Sequence, residues 1–530
     1  MLKERIHRYI FLLAIGLCLV SLPFSRFTLT LSLILLTANW LIEGSWLYWK
    51  NIKSTPAILI FLLIYLALIF GLFYSDNIDY ALADLRLKLP LLIVPLIFAT
   101  SPPLSSEERQ YIISLFCFSV FVATAISFVI YVQNFSLGSS NVREISPFIS
   151  HIRYAIMISI AIALLLWYAM KEKRKFVAGA YVVLALWLIF FIFVLQSLTG
   201  MVLLMFVAWV FAVALVLRIN IKYLKWSFIL LIVILSFFPP FYIYSKTIDY
   251  FSNREDVAVD TLPKYTVNGN KYAHHKNPKQ YENGNLVWIN VCWEELEQEW
   301  NRRSKLTFDG NDRLSQPLYS TLIRYMTSKG FKKDSAGVWK LDTTDIRLIE
   351  DGVTSVVYKD HKLGVYPRLY QVLWEVDQYL SFGKVSGSSV VQRIVFIDIA
   401  IGIIKNNFWF GVGTGDLNDA FTSYYRTNDV NISEDFWYLS HNQFLTHWVQ
   451  VGFLGLLLFA FGWFLPIYLL RKKLDFITII VFGILTLSML NEDTFQTHIG
   501  VSMVGLFYGI FVFGSSKPNV KSEDWYAPKN

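Results

Sequence analysis

The sequence predicts an all-α membrane protein that crosses the bilayer about twelve times and carries one soluble insertion of α/β or mixed structure. Three observations predict it. Of the 530 residues, 55% are hydrophobic, 17% aromatic and only 16% charged, more apolar surface than a soluble fold can bury. The apolar residues come in runs of roughly 17 to 25, the length of helix that crosses about 30 Å of hydrocarbon, and not in the short alternating segments of a barrel. The Lys and Arg behind the net charge of +8 sit in short loops between the runs, which is a topogenic pattern and not the continuous basic patch of a nucleic-acid binder.

The first run, 9–25, follows Lys3, Arg5 and Arg8 as a secretory signal would. Leu22, Pro23 and Phe24 offer no small-residue cleavage site, so it is expected to remain as a helix. Further runs lie at 27–49, 56–74, 87–101, 109–133, 151–170, 176–195, 198–217 and 226–244. The fourth, 87–101, is short and contains Pro90 and Pro95, which weaken it as a helix. With a cytoplasmic N-terminus, the loops bearing Lys50 and Lys53, Lys171 to Lys175, Arg218 with Lys222 and Lys225, and Arg471 to Lys473 all fall inside.

From Thr247 to Ser386 the chain is polar and rich in Trp, Tyr, Asn and Gly, and the parity of the runs places this insertion outside. WEELEQEW (Trp293 to Trp300) and LYSTLIRYMTSKG (Leu318 to Gly330) have the spacing of amphipathic helices. His274 and His275 lack partners at metal-ligand spacing and read as solvated loop. Cys18, Cys117 and Cys292 imply no disulfide framework. Ser388 to Asp416 is an apolar helix interrupted by Arg393, Asp398 and Lys405, expected to lie at the outer interface, and it ends in the turn GVGTGD. Runs at 444–470, 475–490 and 499–514 close the bundle. The expected divisions are therefore an N-terminal bundle at 1–246, the insertion at 247–386, an amphipathic helix and loop at 387–443, C-terminal spans at 444–514 and a cytoplasmic tail at 515–530.

This topology sets Arg86, Lys88, Arg143, His151, Arg153, Arg393, Lys405, His441, His447 and His498 at the outer mouth, where positive charge is normally scarce. Cations held there against the topogenic trend suit an anion, and the planar fork of arginine suits phosphate oxygens in particular. A lipid-linked diphosphate fits, with its charge at headgroup level and its tail in the bilayer; snorkelling or phospholipid contact is the plainer reading of any single residue. His441, in SHNQFLTHWVQVGFLG, precedes a long span, where an imidazole either caps the interface or removes a proton from a hydroxyl. Asn442 and Glu492 are candidates for binding or orienting an acceptor, while His447 is expected to face elsewhere. GVGTGD follows no strand and lacks a Lys-Ser/Thr ending, so it reads as a tight turn and not as a nucleotide loop. Charges collected at one face, with no internal repeat, argue against a transporter or lipid flippase.

The order of parts, Arg393 on a helix, GVGTGD, HNQFLTHWVQVGFLGLL and a late EDTFQTHIG loop, resembles the O-antigen ligase family, whose membrane core is shared with O-antigen polymerases and some protein O-oligosaccharyltransferases. The insertion, with LPKYTVNGNKYAHH and LIRYMTSKGFKKD, is similar to the form found in Bacteroidetes. The resemblance implies a glycosyltransferase of the GT-C-like kind in a bacterial inner membrane, with its active site facing the periplasm. Such an enzyme moves a glycan from undecaprenyl diphosphate to lipid A-core without metal or cofactor. It also implies His441 as the essential histidine, Arg393 as a catalytic arginine of the diphosphate site and Arg153 as a further basic position. One departure stands out: in QSLTGMVLL, Leu198 occupies the place of a usual arginine, so that Arg86 or Lys88 is expected to complete the phosphate site.

Overall fold

Apolar periodicity is realised almost wholly as helix. The computed structural model describes residues 2–47, 56–136, 145–255, 257–258, 261–275, 279–360, 365–385, 389–428, 430 and 432–514. Lys50, Lys53, Arg143 and the expected tail at 515–530 lie outside the described residues. Six helices among the described residues are long and apolar enough to cross a membrane: Ser106–Gln133, His151–Lys171, Lys175–Leu195, Leu198–Leu217, Lys222–Ser252 and Gln443–Leu470. Shorter apolar stretches follow the runs read at 56–74, 475–490 and 499–514. The helices Leu2–Ser21 and Arg26–Glu43 cover most of the first two runs, which extend beyond their C-terminal ends.

The run with the two prolines forms, as far as Thr100, part of a helix of 23 residues, Ile78–Thr100, continuous through Pro90 and Pro95. The last helix, His498–Tyr508, supplies small residues where this helix comes close. A Cβ on Gly505 would stand 2.8 Å from the Pro90 carbonyl, and one on Gly509 would stand 2.4 Å from the Phe98 ring. Close approach of this kind packs membrane helices without a hydrophobic driving force.

The chain divides into two compact units, one made of Met1–Ser127, Ser146–Phe211 and Arg393–Asn530, the other of Phe128–Ile145 and Ala212–Gln392. In the first unit one helix is interrupted, and the loop that repairs it also closes the end of another. The helix Gln443–Leu470 breaks at Gly452, which has φ 70° and ψ −175°. There the carbonyls of Val449 and Gln450 accept from the amides of Val412 and Gly413 (2.9 and 3.0 Å), and the amides of Phe453 and Leu454 donate to Phe408 and Trp409 (2.8 and 3.3 Å). The other helix runs through two pieces, Pro56–Phe61 and Leu63–Leu72. Thr414 closes the end of the second piece, its amide donating to the Gly71 carbonyl (3.2 Å) and its hydroxyl to Leu68 (2.7 Å). Asp416 then receives the amides of Asp76 and Asn77, each at 2.9 Å. GVGTGD is thus more than a turn: its amides pair backbone that a broken helix leaves exposed, the condition for irregular chain in a membrane protein.

The second unit is mainly helical, not the α/β or mixed insertion expected. Its core packs Leu296 and Trp300 of Trp293–Arg303 with Leu322, Ile323 and Met326 of Leu318–Ser328 and Ile349 of Thr343–Glu350, so both amphipathic segments form as read. Among the described residues the sheet is one hairpin, Tyr281–Glu282 with Asn285–Leu286, turning through Asn283 and Gly284 at positive φ. Strand-like stretches such as Lys264 to His275 form isolated bridges only, Tyr265 with Lys271 and Ala273 with Val291. His274 is a fastener rather than a solvated side chain, since its Nδ1 accepts from the Asn290 amide at 3.0 Å. The unit also contains the helix Lys222–Ser252, so 246/247 is not the boundary of this compact body.

Gly452→Ala should therefore destabilise the protein by roughly 1–3 kcal/mol, because it needs left-handed backbone and its Cβ would meet the Trp409 carbonyl at 2.3 Å. Gly179→Ala, with open space around it, is the control: thermal unfolding in detergent should show a fall for the first variant and none for the second.

Candidate functional site

His441 lies one residue before the cap of the Gln443–Leu470 helix and has φ 51°, a left-handed conformation that a histidine adopts only when its surroundings impose it. Asn442 and Asp493 impose it from either side. The Asn442 Oδ1 accepts from the amides of Phe444 and Leu445 at 3.0 and 3.1 Å, while its Nδ2 donates to the Leu490 carbonyl. Asp493, buried in the loop before the last helix, accepts the His441 amide on Oδ2 at 2.8 Å and the Thr446 hydroxyl on Oδ1 at 2.6 Å. Burial raises the Asp493 carboxyl to about 7, against the opposing pull of the Thr446 hydrogen bond. Asn442 is accordingly a helix cap, its side chain committed to three backbone groups and not turned to an acceptor.

The imidazole packs beside Phe396 and Tyr438, with ring centroids at 5.7 and 5.9 Å. Burial, then the charges of Arg393 and Arg153, press its pKa down to about 4, so at neutral pH it is uncharged. The structure thus brings together residues from four stretches of sequence: His441, Arg393, Arg153 and Glu492. Arg153 donates from Nη2 to Glu492 Oε1 at 2.7 Å, and Glu492 Oε2 lies 3.9 Å from His441 Nδ1. The Glu492 side chain is only 4% exposed, a buried counter-ion to Arg153. Arg153 Nε is buried with no hydrogen-bond partner.

Lys88 and Arg86, the residues expected to complete the phosphate site, differ in their surroundings. Lys88 is fully buried, its ammonium 2.6 Å from Asp84 and 3.4 Å from the Gln450 Oε1. Gln450 also donates to Asp84 (2.9 Å) and to the Thr414 carbonyl (3.1 Å), so this cluster ties the helix Ile78–Thr100 to the loop that mends the break. The Lys88 charge is met internally by Asp84. Arg86, two residues away and so on the far side of its helix, is exposed. Leu198 opens the helix Leu198–Leu217, and its neighbour Thr199 accepts from Asn491 at 2.7 Å, which fastens this segment to the loop of Glu492 and Asp493. His447 is buried against Phe459, away from the mouth, as expected. An open hollow of about 470 Å³, lined by Asp76, Asn77, Asp79, Asp416 and Asp419, has the wrong sign for a phosphate.

Thr446 is the residue that sequence reasoning missed as a support of His441. The acidic pair in NEDTFQTH was visible, yet which carboxylate takes the backbone and which the arginine depends on tertiary contact.

A helical membrane protein with two arginines, a buried carboxylate and a neutral histidine gathered before a broken span is the class that fold and site define. Residues 363–460 match the O-antigen ligase family, a stretch that contains Arg393, GVGTGD, His441 and Gly452. Over this stretch the chain is similar to the O-antigen ligase family. No curated protein matches it.

Lys88→Ala should cost about 3–5 kcal/mol by leaving Asp84 charged, buried and unpaired, whereas Lys88→Met combined with Asp84→Asn should recover most of the loss. Unfolding midpoints of purified variants check this; a Lys88→Ala protein as stable as the parent would contradict the structural role.

Proposed function

We propose that the protein is an inner-membrane glycosyltransferase that transfers a glycan from undecaprenyl diphosphate to lipid A-core at the periplasmic face, in a bundle of about twelve spans. The convergence of His441 with Arg393, Arg153 and Glu492 carries this reading. The diphosphate lies on the arginines, which stabilise the charge that develops as the anomeric C–O bond breaks. His441, uncharged and turning Nδ1 toward Glu492, presents Nε2 to the acceptor hydroxyl and takes its proton as the new bond forms. The arginines supply the positive charge that a metal would otherwise bring to a leaving diphosphate.

The same chemistry serves an O-antigen polymerase, whose acceptor is a second lipid-linked glycan, or a protein O-oligosaccharyltransferase. A flippase is the reading from another class. The buried Asp84–Lys88 pair lends it one feature expected of transport proteins, but that pair is already satisfied by Gln450 and holds the fold together.

His441→Ala and Arg393→Ala should each lower glycan transfer by about 10²–10⁴-fold with membrane insertion unchanged, measured as glycosylated lipid A-core in cells. Wild-type transfer by both would overturn the assignment. In a deletion strain, uncapped lipid A-core with polymer retained on undecaprenyl diphosphate identifies a ligase, and single repeat units on the core identify a polymerase.

A further inference from the structure

Glu492 stands between two groups that need it at different moments. One oxygen is held by Arg153 at 2.7 Å. The other approaches His441 Nδ1 but stops at 3.9 Å, beyond hydrogen-bonding distance. Glu492 is closed off from solvent, so water does not satisfy that second oxygen freely. The groups facing His441 from the surrounding elements are Arg153 on His151–Lys171, Arg393 on Ser389–Asn406, and Glu492 and Asp493 in the loop 489–497, with Lys88 acting on Asp493 from Ile78–Thr100. Two cations thus oppose an imidazolium, and the near carboxylate is engaged with one of them. In this arrangement His441 is a poor base, which is at odds with a role in deprotonating a hydroxyl.

We propose that Glu492 is a positioning residue handed from Arg153 to His441 when a diphosphate arrives. The inference rests on the diphosphate reading of the arginines. A diphosphate brings the negative charge that Arg153 otherwise takes from Glu492. The released carboxylate then closes on Nδ1–H, fixing the tautomer with Nε2 free, in the manner of a carboxylate that orients a catalytic histidine. With both arginines neutralised and Glu492 at Nδ1, the imidazole accepts the acceptor proton on Nε2. The acceptor oxygen bonds to the anomeric carbon, and the diphosphate leaves with the electron pair of the broken C–O bond. Base strength is thereby switched on only in the donor-loaded enzyme, which keeps an idle site from activating water.

The test uses the full-length protein in nanodiscs, with inorganic pyrophosphate as the probe and histidine-labelled protein for NMR titration of His441. In the wild type, pyrophosphate should raise the His441 midpoint by at least about one pH unit, a tenfold change in proton affinity. In Glu492→Gln, pyrophosphate should bind more tightly, because Arg153 is unoccupied, while the shift falls to less than half; Glu492→Asp should restore most of it. A wild-type midpoint that stays in place while pyrophosphate binds, or a shift of equal size in Glu492→Gln, overturns the handover and leaves the diphosphate site standing. Absence of pyrophosphate binding, checked by ³¹P NMR, overturns both.

Discussion

The repair of a broken helix by a distant loop is the constraint on which this structure turns. Between Val449 and Leu454 the Gln443–Leu470 helix gives up its own hydrogen bonds, and Phe408 to Gly413 supplies partners for two carbonyls and two amides. Each such group left unpaired in a dry interior would cost about 1–3 kcal/mol, so the contact cannot be loosened piecemeal. Glycine is required at the two meeting points because the chains pass too closely for a Cβ: at Gly411 it would lie 2.5 Å from the Gly452 nitrogen, and at Gly452 2.3 Å from the Trp409 carbonyl. The Asp84–Lys88–Gln450 cluster reinforces the same joint through the Thr414 carbonyl.

Because the joint fixes where the helix begins, it also fixes the histidine in front of it. Asn442 caps the first turn, Thr446 one turn later reaches Asp493, and Asp493 returns to the His441 amide. Two adjacent carboxylates thereby acquire different work. Asp493 holds backbone and Glu492 faces side chains, although nothing in their own chemistry separates them. Local placement decides, as is usual where neighbouring acids differ in role.

The helical class, the amphipathic segments of the insertion and the grouping of His441 with Arg393 and Arg153 were legible in sequence, since each rests on period, charge placement or motif order. For Lys88, sequence does not show whether the ammonium reaches outward or finds Asp84 one turn back. The α/β or mixed expectation for the insertion was not met, because its aromatic and polar stretches close isolated bridges and one short hairpin instead of a larger sheet. Propensity is a weak guide when neighbouring strands are missing. The helix break was the hardest to foresee: Gly452 sits in an apolar run that reads as uninterrupted, and its partner lies some forty residues earlier in a turn whose glycines suggest nothing beyond a change of direction.

The joint has a consequence for biogenesis. Leu68 is bonded by Thr414, 346 residues later in the chain. At a synthesis rate of about 5–20 residues per second, the carbonyls at the end of Leu63–Leu72 must wait roughly 17 to 70 seconds for their final partner. During that interval the early helices have entered the membrane with an end that only the late segment can close. Synthesis of the intervening soluble region falls within the same window. Completion of the bundle is therefore tied to arrival of the segment that bears the site, and a truncated chain should retain an unfinished helix end open to quality-control proteases.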